Sequence, residues 1–170
     1  MTLRSPADAY VRDGSFANTN FGQAGEMQVK NVTAPGWSRE AYLRFDLTGV
    51  ASADRITSAF VRVFGRQLDQ FETTVKVGIY PVSPAGWTES GLTWNNRPVP
   101  AAAPLMVGDV AGGSNALHQF NVTEYLRQQK AAGATSVAFA LRAPTVSEGW
   151  AAFVSDEASS ERPELRVEQT

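Results

Sequence analysis

The sequence predicts an all-β fold, a jelly-roll-like antiparallel β-sandwich with one short helix, and three observations predict it. Apolar and polar residues alternate along most of the chain, which is the period of a strand. Clusters such as Ser83-Pro84-Ala85-Gly86 and Gly112-Gly113-Ser114-Asn115 cut that alternation into short pieces. The chain has 170 residues, 43% hydrophobic and 19% charged, so residues 1–170 suit a single domain that buries a core.

Taken in order, the short candidate strands are Ala9 to Val11 and Met27 to Asn31. The clearest is Glu40 to Leu47, where Ala41, Leu43, Phe45 and Leu47 point one way and Glu40, Tyr42, Arg44 and Asp46 the other. Ala59 to Phe64 follows, closed by Gly65, and then Thr74 to Tyr80, closed by Pro81. Ser136 to Arg142, Trp150 to Val154 and Glu164 to Val167 complete the set. Many short strands between turn signals suit a sandwich. Asn121-Val122-Thr123-Glu124 reads as an N-cap with Glu at N3. It opens a short helix with Val122, Tyr125 and Leu126 on its apolar edge and Gly133 as its stop. The Pro- and Ala-rich stretch from Pro98 to Pro104 reads as a surface loop, and no repeat or linker divides the chain.

Composition narrows the function classes. The net charge of −2 supplies no global field toward nucleic acid or anionic lipid, so any affinity for a polyanion must come from a local patch. No cysteine is present, which excludes disulfides and thiolate metal sites. No run of 18 apolar residues spans a membrane. The opening Met1-Thr2-Leu3-Arg4-Ser5-Pro6 lacks the apolar stretch of a signal peptide, so an exported protein of this sequence is expected to be a piece of a longer precursor. The single histidine, His118, has no partner acid or nucleophile at a known spacing and reads as structural. Motifs for serine hydrolases, zinc proteases and phosphate loops are missing. Carboxylates are plentiful, but Asp156, Glu157 and Glu161 sit in a polar stretch where solvated side chains are the usual state. No catalytic residue is assigned.

Extending the strand alternation gives an outward set of Lys30, Tyr42, Arg44, Phe60, Arg62, Phe64, Lys76, Tyr80 and Arg142. Each strong strand adds a cation to it. Two readings stand side by side. The set forms a basic, aromatic patch that pairs with the carboxylates or sulfates of a glycan and stacks on its sugar faces, or it is a wet face that keeps strands soluble and blocks edge pairing. Trp87 and Trp94 read as core plugs, whereas Trp37 and Trp150 are candidate exposed platforms.

Several blocks resemble a known family. Asp8 to Gly22, Ser38 to Leu47 and Ile56 to Gly65 are similar to the opening blocks of the DNRLRE-type domains, grouped as carbohydrate-binding module family ninety-six. Trp87-Thr-Glu-Ser-Gly-Leu-Thr-Trp-Asn-Asn-Arg-Pro98 resembles their most distinctive stretch, and Phe120 to Tyr125 and Ser155 to Leu165 complete the series. The resemblance implies a noncatalytic, secreted, monomeric module joined to a polysaccharide lyase or hydrolase in the same polypeptide, with alginate as a ligand of characterised members. It implies binding through basic residues of a sandwich face, which here are Lys30, Arg39, Arg44, Arg62, Lys76 and Arg142. Phe60 stands where relatives often carry Lys and Phe64 where they often carry Tyr, a departure from a strictly alginate-like surface. Sandwich modules of this type also suggest a structural Ca²⁺, with Asp8, Asn18, Asn20 and Asp156 as candidate ligands. The alternative is that Asn18-Thr19-Asn20 is an Asx-turn loop bonding its own backbone. A spacer domain without a ligand and a small polysaccharide lyase are the competing functions.

Overall fold

The computed structural model describes residues 1–170. In chain order the elements are β1 (Thr2–Arg4), β2 (Ala7–Arg12), β3 (Glu26–Lys30), β4 (Arg39–Asp46), β5 (Ile56–Gln67), β6 (Val75–Val82), β7 (Met106–Val110), β8 (Ala116–Asn121), α1 (Thr123–Ala131), β9 (Ser136–Arg142), β10 (Trp150–Val154) and β11 (Glu164–Gln169). All strand pairs are antiparallel. One layer holds β1, β11, β5 and β8, with β10 and β3 continuing from the end of β5. The other runs β2–β4–β9–β6–β7. The ladder passes from layer to layer through one residue pair, Lys30 opposite Arg39. The expected antiparallel sandwich with one helix is the observed fold, and no helix is long and apolar enough to cross a membrane.

The inward alternation is as read. Leu43 and Phe45 of β4, Val61 and Val63 of β5, Ile79 of β6, Phe139 and Leu141 of β9, and Phe153 of β10 interdigitate in one buried cluster between the layers. Each such side chain contributes about 1.5–3 kcal/mol on leaving water. Val122 and Leu126 of α1 join this core, and Tyr125 packs against it from the rim. Asn121, expected as the N-cap, lies one residue before it: Val122 takes that place without a side-chain cap bond, Asn121 Oδ1 accepts from the Thr123 amide at 3.0 Å and the Thr123 hydroxyl at 2.7 Å, and Glu124 turns toward Arg127 instead of closing a capping box. Gly133 ends the turn at φ +82.

Two closing signals are overruled. Gly65 lies inside β5, because a Cβ there would run into the Phe153 ring. Pro81 lies inside β6, where β7 has already stopped pairing at Ile79, so its missing N–H removes no ladder bond. The strands β1, β7 and β8 were not expected.

The larger departure is on the outer face of β4, β9 and β6. Tyr42, Tyr80, Ala138 and Ala140 of that face are buried, with Ala7, Ala9 and Val11 of β2, under Trp87 and Leu92. The connection 83–105 folds across them as a lid. It is pinned where Pro98 O accepts from the Tyr42 hydroxyl at 3.3 Å and where the Ala101 amide donates to Pro81 O at 2.9 Å. The alanines keep the sheet low enough for the lid to close on it, which makes a second core.

Candidate functional site

The single wet face expected from the alternation is divided among separate places. Tyr42 and Tyr80 are 0% and 5% exposed beneath the lid, so neither ring is available to a sugar. Burial, reinforced by the charge of Glu40, raises the Tyr42 phenol far above its ordinary range. Arg44 belongs to the same covered face. Its guanidinium stacks 4.7 Å over Trp87 and donates to the carbonyls of Trp87 at 2.8 Å and Pro84 at 3.4 Å. Phe60, Arg62 and Phe64 lie on the outer face of the opposite layer, where Arg62 is paired with Glu164, which also meets Arg4 at 3.2 Å. Lys76 is exposed and paired with Asp109 of β7 at 2.9 Å.

Lys30, Arg39, Arg142 and Trp150 do come together. Register explains three of them, because Lys30 stands opposite Trp150 on one side and Arg39 on the other, at the joint between the layers. Two adjoining clefts open there and share Lys30 and Val32. The larger, about 560 Å³, is walled by Trp37, Trp150 and the exposed Phe71. The smaller, about 270 Å³, carries Arg39, Arg97 and Arg142 beside Trp94.

Aromatic rings hold these cations in place. Lys30 Nζ and the Arg39 guanidinium lie 5.2 and 4.9 Å from the Trp150 ring, and Arg39 lies 5.5 Å from Trp37. Arg97 stacks 3.7 Å over Trp94, and Arg142 sits 5.2 Å from Tyr80. Such pairs are worth about 0.5–2 kcal/mol each and fix the orientation of the head groups. Trp37, 47% exposed, with Arg97 and Arg142 is the accessible part, and Lys30 and Arg39 are largely buried behind it.

The acids of this groove are mostly occupied. Asp13 Oδ1 accepts from the Gly36 and Ser38 amides, both at 3.0 Å. Glu40 accepts from the Tyr42 hydroxyl and lies 3.6 Å from Arg97. Burial works against ionised Asp69, but the Glu72 and Trp150 amides outweigh it and hold the carboxyl below its usual range. That ties the Leu68–Glu72 rim to β10. Arg39 and Arg142 have no acid within 4 Å, and Arg39 is the buried one of the two. It donates to Trp37 O at 2.7 Å, its buried Nε has no partner, and desolvation together with the like charge of Arg12 lowers its pKa to about 10.

Arg97 and Trp94 are site residues that strand alternation does not reach, because the stretch from Trp87 to Pro98 lies outside the strands. Its signal is an arginine three residues after a tryptophan, a spacing that lets Arg97 stack on Trp94. His118 is half-buried and edge-on to Phe153 at 6.2 Å, with burial lowering its pKa, in keeping with a structural place.

Of the candidate calcium ligands, Asp8 and Asp156 meet, and the third member of their cluster is Glu89. The asparagines are engaged elsewhere. Asn18 Oδ1 accepts from Asn95 Nδ2 at 2.7 Å. Asn20 presents its amide nitrogen to the Glu89 and Leu92 carbonyls at 2.7 and 2.8 Å, and its oxygen accepts from the Gly22 amide as an Asx turn does.

Comparison with known proteins adds two findings. A gellan lyase from a Bacillus species is 35% identical over 145 residues, which is 84% of this chain and 6% of that protein. The chain thus spans about 6% of the length of the curated relative it matches. The family model described as "Carbohydrate-binding module family 96" matches residues 1–169, and the chain belongs to that family.

Proposed function

We propose that the chain is a noncatalytic module that recognises an acidic polysaccharide, carrying uronic-acid or sulfate groups, and holds an attached secreted lyase or hydrolase against its polymer. The observation that supports this most is Arg39, a desolvated guanidinium with an unpartnered Nε, set among Lys30, Arg97, Arg142 and two tryptophans in one groove. An anionic ligand supplies the counter-charge that the fold leaves out. Sugar faces rest on Trp37 and Trp150, and carboxylates or sulfates meet the fork-shaped donors of Arg97 and Arg142. Because Asp13, Glu40 and Asp69 are engaged by backbone amides, Tyr42 and Arg97, the groove offers them as supports and not as an acid–base pair. The relative's lyase context favours a tethered role, in which a weak second site raises local substrate concentration.

Affinity gels containing alginate, gellan, pectin, ulvan or a neutral glucan test the proposal. Retardation is expected on at least one anionic polymer and not on the neutral glucan. It should fade with added salt and be lost in the Trp37→Ala/Trp150→Ala double variant. Migration unchanged on every polymer favours a spacer, and release of unsaturated or reducing ends by the isolated chain overturns the noncatalytic reading.

A further inference from the structure

The geometry points to a calcium site built from Asp8, Glu89 and Asp156, away from the aromatic groove, which fastens the lid and the edge strand β2 to the turn after β10. The three carboxylates come from three segments far apart in sequence, and one oxygen from each lies within 4.8 Å of the others. Asp8 is 1% exposed, and its Oδ1 is buried with no hydrogen-bond partner. Asp156 Oδ1 is buried and unpartnered as well. None of the three acids has a Lys or Arg nitrogen within 4 Å. A buried anion left in this condition costs several kcal/mol unless a cation or a proton compensates it.

The rest of the surroundings are built to hold the oxygens in place. Glu89 Oε1 accepts from the Asp8 amide at 3.1 Å, on the free edge of β2, and Asp8 Oδ2 accepts from the Asp156 amide at 2.8 Å. The Asn20 side chain grips the Glu89 carbonyl, and Gly22 packs so closely on that carbonyl that a Cβ would collide with it. Burial raises the pKa of all three carboxyls, and the charge of Asp156 adds to the rise at Asp8 and Glu89. An all-oxygen, multi-carboxylate donor set suits a hard cation. Calcium accepts six to eight such ligands with flexible geometry at about 2.3–2.6 Å, whereas magnesium demands a tighter octahedron and keeps its waters. Carboxylates supply part of that shell, and water supplies the remainder.

The test uses chelator-treated full chain titrated with CaCl₂ or MgCl₂ at neutral pH, followed by calorimetry and by thermal unfolding. Calcium should bind at one site and raise the thermal midpoint by about 5–10 °C at a hundredfold excess over Kd. Glu89→Gln keeps the oxygen that caps the Asp8 amide, and Asp156→Asn keeps its own backbone donor, so both variants are expected to fold. Each should lose calcium affinity by at least about tenfold, as one 1.4 kcal/mol contact implies. No binding heat and an unmoved midpoint with calcium would mean that protons alone satisfy the cluster, which overturns the inference. An equal response to magnesium overturns the choice of metal. Neither readout involves polysaccharide, so this result stands apart from that for the groove.

Discussion

Two arginines stacked on tryptophans have opposite roles in this molecule. Arg44 lies 4.7 Å over Trp87, and Arg39 lies 4.9 Å from Trp150. The lid closes over the first pair and gives Arg44 two carbonyls to bond, so the pair seals the second core. Arg39 is buried, but it is left with an unpartnered Nε, and its Trp150 partner lines an open cleft. The same residue types at the same spacing therefore act as mortar in one place and as a receptor wall in the other. What separates them is whether the chain supplies the arginine with its bonding partners and closes over the tryptophan.

The largest break in that comparison is Trp87→Ala. The ring is 7% exposed and bonded to Ser83 O at 3.0 Å. Its removal should cost about 3–5 kcal/mol in urea-induced unfolding, with polymer affinity per folded molecule retained. Next is Arg44→Ala, expected to lower stability by about 1–3 kcal/mol through lost stacking and orphaned carbonyls while leaving affinity unchanged. Arg142→Ala should do the reverse, weakening binding about 3–10-fold with little change in the unfolding midpoint. Equal effects of the two arginine variants on binding would erase the distinction. Arg62→Ala and Lys76→Ala serve as controls, because Glu164 and Asp109 already neutralise those cations, and gel retardation should not respond to them.

The smallest expected effect concerns pH. Burial lowers the His118 pKa in the folded state below 6.5, so between neutral and mildly acidic pH the unfolded chain binds the proton more readily. Its contribution to stability is present above that range and declines as pH falls through it. The thermal midpoint of the native chain should drop slightly more between pH 7 and 5.5 than that of His118→Gln. His118 does not line the groove, so affinity at the lower pH should hold. Parallel pH profiles for the two proteins would remove His118 from the account.

Much of the sandwich could be read before the structure. Alternation located β4, β9 and β10 almost to the residue, since each has one strongly apolar face. It failed at β7, where Met106 to Asp109 place no large residue in the core, and at β8, where Phe120 is the buried apolar anchor. The second core has a signal in the sequence. Val137-Ala138-Phe139-Ala140-Leu141 is apolar on both sides, the mark of a strand covered on both faces. A period-two pattern sorts side chains by face but does not say whether a later loop returns to cover one of them, which is why alternation alone assigns Tyr42, Arg44 and Tyr80 to water. The groove depends on three cross-strand neighbours, Lys30, Arg39 and Trp150, whose meeting is a matter of register. Arg97, Trp94 and Glu89 come from the lid, whose path no periodicity encodes.

The lone ladder pair at Lys30 and Arg39 has a mechanical consequence. Over most of their area the layers adhere by apolar packing, which is non-directional and by itself fixes no register between them. A stiff polymer chain laid across this joint would bridge both halves and brace them against shear. Tension on a tethered module would then be shared by the whole sandwich, making its grip and its resistance to pulling rise and fall together.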